Sequence, residues 1–132
     1  MKYMLLMQFN QLSNLPPMDT WPPQDIKDHI AFMHETNAKL VEAGEFVEAQ
    51  GLAEPDQARI VRAGAGGATV VTDGPFPETK EFLVGYWILD CESAERAIEI
   101  AAGFSAAPGP GGKPLNMPIE VRQVMSGPPE DF

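Results

Sequence analysis

Nineteen acidic residues against nine basic ones give the 132-residue chain a formal charge of −10, a balance that repels phosphate backbones. No Lys/Arg cluster offers a local exception, so the composition argues against direct nucleic-acid binding. The 44% hydrophobic and 21% charged content is that of one globular domain with a single core, not of a disordered chain.

The first apolar run, Tyr3 to Met7, is too short to span a bilayer and lacks a small-residue cleavage site, so neither a membrane segment nor a leader is expected. It reads instead as a strand from about Lys2 to Phe9, with Tyr3, Leu5, Met7 and Phe9 pointing one way and Met4 and Leu6 the other. A polar loop containing Pro16-Pro17 and Pro22-Pro23 leads into a helix from about Gln24 to Ala43. Its apolar stripe is Ile26, Ile30, Met33, Leu40 and Val41, and Gly44 suits the position just past its end. Phe46 to Leu52 forms a second strand of mixed polarity. Ala58–Arg62 and Ala68–Thr72 flank a flexible glycine-rich tip, which predicts a β-hairpin.

Asp73-Gly74-Pro75 is a turn signal, since glycine tolerates positive φ and proline fixes its own. Phe82 to Leu89 follows as an apolar strand, with Phe82, Val84, Tyr86 and Ile88 on one face and Leu83, Trp87 and Leu89 on the other. Ser93 is a fitting N-cap for a second helix. Its buried face is predicted as Ala94, Ala97, Ile98 and Ala101, and Gly103 is expected to end it. After a Gly/Pro-rich loop, Pro108 to Pro114, a last strand runs from about Pro118 to Met125. Residues 1–125 thus form one domain, and 126–132 a mobile tail.

The order is βαβ, an inserted hairpin, then βαβ. It predicts an α+β, ferredoxin-like antiparallel sheet with both helices on one face. Two helices cover only one side of such a sheet, yet the Phe82–Leu89 strand is apolar on both. The simplest cover for the second face is the same face of another copy, in a homodimeric α/β barrel. The alternative is a monomer whose Pro-rich loops fold over it.

The segment Asp73-Gly74-Pro75-Phe76-Pro77-Glu78-Thr79-Lys80-Glu81 resembles the signature of the DGPF branch of the YCII-related family, within the dimeric α/β-barrel superfamily. Gly85-Tyr86-Trp87-Ile88 resembles the family's following strand, and Ser93 to Ala97 its alanine-rich helix. Ile119-Glu120-Val121-Arg122 resembles the closing strand, and Ala43-Gly44 the end of the first helix. Gln123 departs from the pattern, where the family more often has proline. The resemblance implies the fold and little chemistry, because most members have no established activity. Some relatives occur beside genes for extracytoplasmic-function sigma factors, which implies a regulatory or stress role.

Several residues carry both a structural and a chemical reading. Asp73 can cap its turn through backbone N–H groups, or serve as a general base at a cleft mouth. Glu78, Lys80 and Glu81 form either a solvated charge cluster or a means of orienting a polar substrate. Arg122 and Glu120 share a face of the last strand. Arg122 is either a surface partner of Glu120 or an anchor for a carboxylate, and Tyr86 is a further substrate-binding candidate. His29 and His34 lie roughly 140° apart around a helix and cannot share a metal. The family resemblance implies acid–base work for a first-helix histidine, for which His34 is the nearer candidate; the other reading is an ordinary boundary histidine.

Cys91, alone in the chain, can form no intramolecular disulfide. It reads as structural and suits a reducing cytoplasm. Gly64-Ala65-Gly66-Gly67 lacks the Lys-Ser/Thr of a phosphate loop, and no metal, haem or nucleotide motif is found, so no cofactor is expected. Two function classes follow. One is a homodimer with a cleft between each helix pair and its sheet, binding a small polar or aromatic carboxylate and working by cofactor-free acid–base chemistry through Asp73, His34 or Glu78. The other is a non-catalytic ligand sensor or a partner of the transcription machinery.

Overall fold

The computed structural model describes residues 1–10, 15–53, 55–73 and 81–125. Six strands and two α-helices follow the predicted order: β1 (Lys2–Asn10), α1 (Pro23–Glu42), β2 (Phe46–Gly51), β3 (Arg59–Ala63), β4 (Thr69–Asp73), β5 (Glu81–Asp90), α2 (Ala94–Ser105) and β6 (Ile119–Gln123). The main sheet has the order β2-β5-β1-β6 with every neighbour antiparallel, in agreement with a ferredoxin-like fold. β3 and β4 pair only with each other, as the inserted hairpin. Between them Gly66 and Gly67 take positive φ, which is what the tight tip requires.

Local chemistry sets the helix boundaries. Pro23 opens α1 with its φ already helical and no N–H to leave unpaired. At the other end Gly44 adopts φ 75°, its N–H bonding to the carbonyl of Val41 and that of Glu45 to the carbonyl of Leu40. These two bonds are those of a Schellman ending, as the sequence led one to expect. Ser93 caps α2, its hydroxyl accepting from the N–H of Arg96 at 3.1 Å. Gly103 does not end α2, which runs on to Ser105. Nothing lies near its missing side chain, so the glycine merely weakens the helix without terminating it.

The core lies between the sheet and the helices. Tyr3, Leu5, Trp87 and Leu89 from the sheet meet Leu40 from α1 and Ala97, Ile100, Ala101 and Phe104 from α2. Trp87 stacks on Phe104 with ring centroids 4.1 Å apart. The expected face of α2 is therefore rotated: Ile100 and Phe104 are buried, while Ile98 is 57% exposed. α2 is apolar over more than one stripe, so two registers fit the same spacing, and the large Phe104 ring decides between them. On α1 likewise Leu40 is buried, but Ile30 and Val41 lie exposed.

A bulge corrects the reading of β5. In its pairing with β1, Gly85 lies opposite Met7 and Leu83 opposite Gln8, which leaves Val84 as the extra residue. The alternation is shifted below that point. Phe82 is buried and Leu83 is 38% exposed, the reverse of what strict period-two alternation predicts.

Candidate functional site

The sheet face away from the helices is where the remaining polar chemistry gathers. Strand register arranges it in two rows. Glu48, Ile88, Met4 and Arg122 stand level across β2, β5, β1 and β6. Gln50, Tyr86, Leu6 and Glu120 form the next row on the same face. Their sequence neighbours Leu5, Trp87, Leu89, Ile119 and Val121 face the core, so alternation alone turns these residues outward. Each row has an apolar centre and polar ends. Met4, Leu6, Val84, Tyr86 and Ile88 are half-buried, and they lie outside the core that the described helices pack against.

Two polar pairs frame this strip. The Tyr86 hydroxyl donates to the Glu48 carboxylate at 2.9 Å. That hydrogen bond, with smaller contributions from burial and the carboxylate charge, pushes the phenol above its ordinary pKa, so Tyr86 stays a neutral donor. On the opposite edge Arg122 Nε lies 3.5 Å from Glu120, with the two side chains 71% and 48% exposed. This is the surface pair the sequence allowed for, and it engages one corner of the guanidinium. The Nη groups that grip a carboxylate bidentately lie at the other corner.

Of the candidate residues, Tyr86 and Arg122 are brought to one face, with only β1 between their strands. His34 is not brought to them. It sits exposed on α1, in the helix layer on the far side of the sheet. Asp73 closes β4 in register with Arg59, and Glu81 opens β5 opposite Asn10. Glu78, Lys80 and the turn 74–80 lie outside the described residues, as does the tail 126–132. Cys91 is buried and burial pushes its thiol up, in keeping with a structural role.

Between the helices and the sheet, the Trp87–Phe104 stack and its neighbours pack as core among the described residues. Among the described residues no charged side chain is buried there. The polar link within this layer comes from Asn37, whose side-chain oxygen accepts from Trp87 Nε1 at 3.1 Å. Sequence reasoning missed Asn37 and Glu48, and weighed His29 only as half of a metal pair. His29 Nδ1 lies 3.0 Å from the carbonyl of Pro108, its ring edge-on to Trp21. One turn earlier Asp25 accepts the N–H of Gly111 at 2.9 Å. These contacts tie the Pro108–Pro114 loop to α1. Only Glu48 had a legible signal, since it shares with Gln50 the polar parity of β2.

The comparison with known families now decides the lineage. The model of the YCII-related domain matches residues 1–109. The chain belongs to the YCII-related family. The matched part of this YCII-related chain takes in every element except β6, and so includes three of the four strands that build the open face. An uncharacterised protein of Rhizobium meliloti (strain 1021) is 34% identical over 87 residues, covering 66% of this chain and 69% of that protein. No helix among the described residues of the YCII-related chain is long and apolar enough to cross a membrane.

Proposed function

We propose that this YCII-related protein, read as a member of the DGPF branch, works as a cytoplasmic homodimeric α/β barrel that binds a small polar or aromatic carboxylate between its two sheets. One observation carries the reading: the open face has an apolar centre with a hydrogen-bonded phenol on one flank and an arginine on the other. An apolar strip of this kind stays exposed to water at a cost, and a second copy of the same face is the cover that symmetry supplies. Between two such faces a small ligand would lay its ring or chain on Met4, Leu6 and Ile88 and its carboxylate on Arg122. Asp73, Glu78, Lys80 and Glu81 are the further polar candidates for binding or turning over that ligand.

A thermal-shift titration with benzoate tests the ligand. The reading expects benzoate to raise the Tm of the unmodified protein and of Glu35→Ala, an exposed change on α1, but not of Arg122→Ala. Equal stabilisation of all three would remove Arg122 from the site.

A second reading is favoured by the filled interior. With Trp87 and Phe104 occupying the space beneath the helices and His34 on the far layer, the chain suits a non-catalytic ligand sensor or regulatory partner tied to sigma-factor-dependent transcription. Cofactor-free acid–base catalysis requires instead that Asp73 or Glu78 reach the open face. Phenylpyruvate in place of benzoate, followed by NMR in deuterated buffer, separates the two, because its methylene hydrogens beside the ketone can exchange. Exchange of the α-hydrogens accelerated by the protein, and lost in Asp73→Asn, supports catalysis.

A further inference from the structure

The two rows of the open face are charged asymmetrically. In the first, the acid Glu48 stands on β2 and the base Arg122 on β6, with Ile88 and Met4 between them. Neighbouring strands are about 4.8 Å apart, so these opposite charges sit roughly 14 Å from each other on one chain. They are too far apart to pair directly. The second row does not repeat that polarity: it has the neutral amide of Gln50 on β2 and the carboxylate of Glu120 on β6, a hydrogen-bond donor and an acceptor at opposite ends.

Symmetry converts this pattern into a geometry. Two sheets packed face to face through a two-fold axis have two simple arrangements. If the axis runs across the strands, β2 faces β2 and β6 faces β6. Glu48 then meets its own copy's edge and Arg122 does the same. In a chain of formal charge −10, bringing the two Glu48 edges together adds repulsion to an already repelling pair, and the two Arg122 side chains gain no partner from the operation. If the axis runs along the strands, β2 of one copy faces β6 of the other, and the operation leaves the level along the strand unchanged. Glu48 then stands opposite the partner subunit's Arg122, and Gln50 opposite the partner subunit's Glu120. Both rows become complementary at once, while the apolar centres Met4, Leu6, Tyr86 and Ile88 still meet. The packing distance of about 10 Å between sheets is one that a glutamate and an arginine can span together.

Resting on the homodimer proposed above, we infer that the two-fold axis runs along the strands and that each ligand cleft is composite, with Tyr86 and Glu48 from one chain and Arg122 from the other. The ligand class follows from the two contributions. A carboxylate takes the free corner of the guanidinium from one side, and an aromatic or polar body receives the neutral Tyr86 hydroxyl from the other. Within one chain Tyr86 and Arg122 stand two strand spacings, about 10 Å, apart.

The test places single cysteines in a Cys91→Ser background. Glu48→Cys and Arg122→Cys chains, carrying tags of different size, are co-expressed and treated with a short bis-maleimide; Gln50→Cys with Glu120→Cys forms a second, independent pair. The inference expects a cross-linked band joining the two tagged sizes in both mixed samples and none in samples of a single variant. Bands joining two Glu48→Cys chains, or two Arg122→Cys chains, would place the axis across the strands and overturn the composite cleft while leaving the dimer intact. A dimer in sedimentation that gives no band in either mixed pair overturns it too. If the uncross-linked protein sediments as a monomer at micromolar concentration, the homodimer itself fails, and the inference fails with it.

Discussion

On the helix side of the main sheet, Leu5 and Leu89 are fully buried and Trp87 lies against Phe104, with Asn37 taking its indole N–H. On the other side Met4, Leu6, Tyr86 and Ile88 come from the same strands at alternate positions. They are half-buried, with polar side chains at both ends of their rows. The helix-side face is apolar across all four strands, whereas the open face is apolar only at its centre. The closed face is finished by its own chain; the apolar centre of the open one asks for something further. Alternation decides which side chain lies on which face; only assembly decides whether that face is dry.

This difference gives separate ways to break each side. The largest effect belongs to the closed face. Phe104→Ala removes the ring stacked on Trp87 and leaves a cavity in a packed layer, at a cost of about 4 kcal/mol. Urea unfolding is expected to show a lower midpoint with an unchanged slope; a loss below 1 kcal/mol would mean that α2 is not packed as described.

The next effect tests how α2 is fastened to the start of β2. Arg96 holds Glu45 through two hydrogen bonds of 2.9 and 2.8 Å, with Glu45 only 14% exposed, and also reaches the outer Glu99. Glu45→Gln weakens this charge-assisted fork by about 2 kcal/mol at neutral pH. The hydrogen bond from Arg96 holds the Glu45 carboxyl below its ordinary value of 4.5, against the opposing pull of burial. A carboxyl with a lowered folded pKa contributes stability above its unfolded pKa, and that contribution is lost as pH falls through the folded value. The stability gap between the unmodified protein and Glu45→Gln should therefore be constant above about pH 5 and shrink in more acidic solution. A gap that widens on acidification would contradict the pairing.

The smallest expected effect is at a helix end. Ser93→Ala removes the cap of Arg96 N–H and should lower stability by about 1 kcal/mol, while Ser93→Asp should nearly restore it. None of these three changes lies on the open face, so none should alter the oligomeric state.

The βαβ-hairpin-βαβ order was legible because its punctuation is local: Pro23, Gly44 and Ser93 act through their own backbone or side chain within one turn. That Met4 shares a face with Leu6, and Tyr86 with Ile88, was legible from alternation; which face turns away from the helices was not. What escaped was non-local. The shift at Val84 depends on how β5 registers with β1, which no residue of β5 announces, so Phe82 and Leu83 exchanged faces. The buried stripe of α2 was settled by the fit of Phe104 to Trp87, not by spacing. At the site, Arg122 and Tyr86 could be named from their strands. Glu48 joined them only through the β2–β5 register. The readings of Glu78 and Lys80 fall on residues outside those described.

The central claim is that the open face is an interface between copies, and sedimentation velocity tests it most directly. The unmodified protein at micromolar concentration should sediment as a dimer. Ile88→Asp, which sets an unpaired charge in the apolar centre of the row, should weaken association by about 3 kcal/mol or more and sediment as a folded monomer. An unmodified protein that is monomeric, or an Ile88→Asp variant that dimerises as tightly as before, would contradict the account.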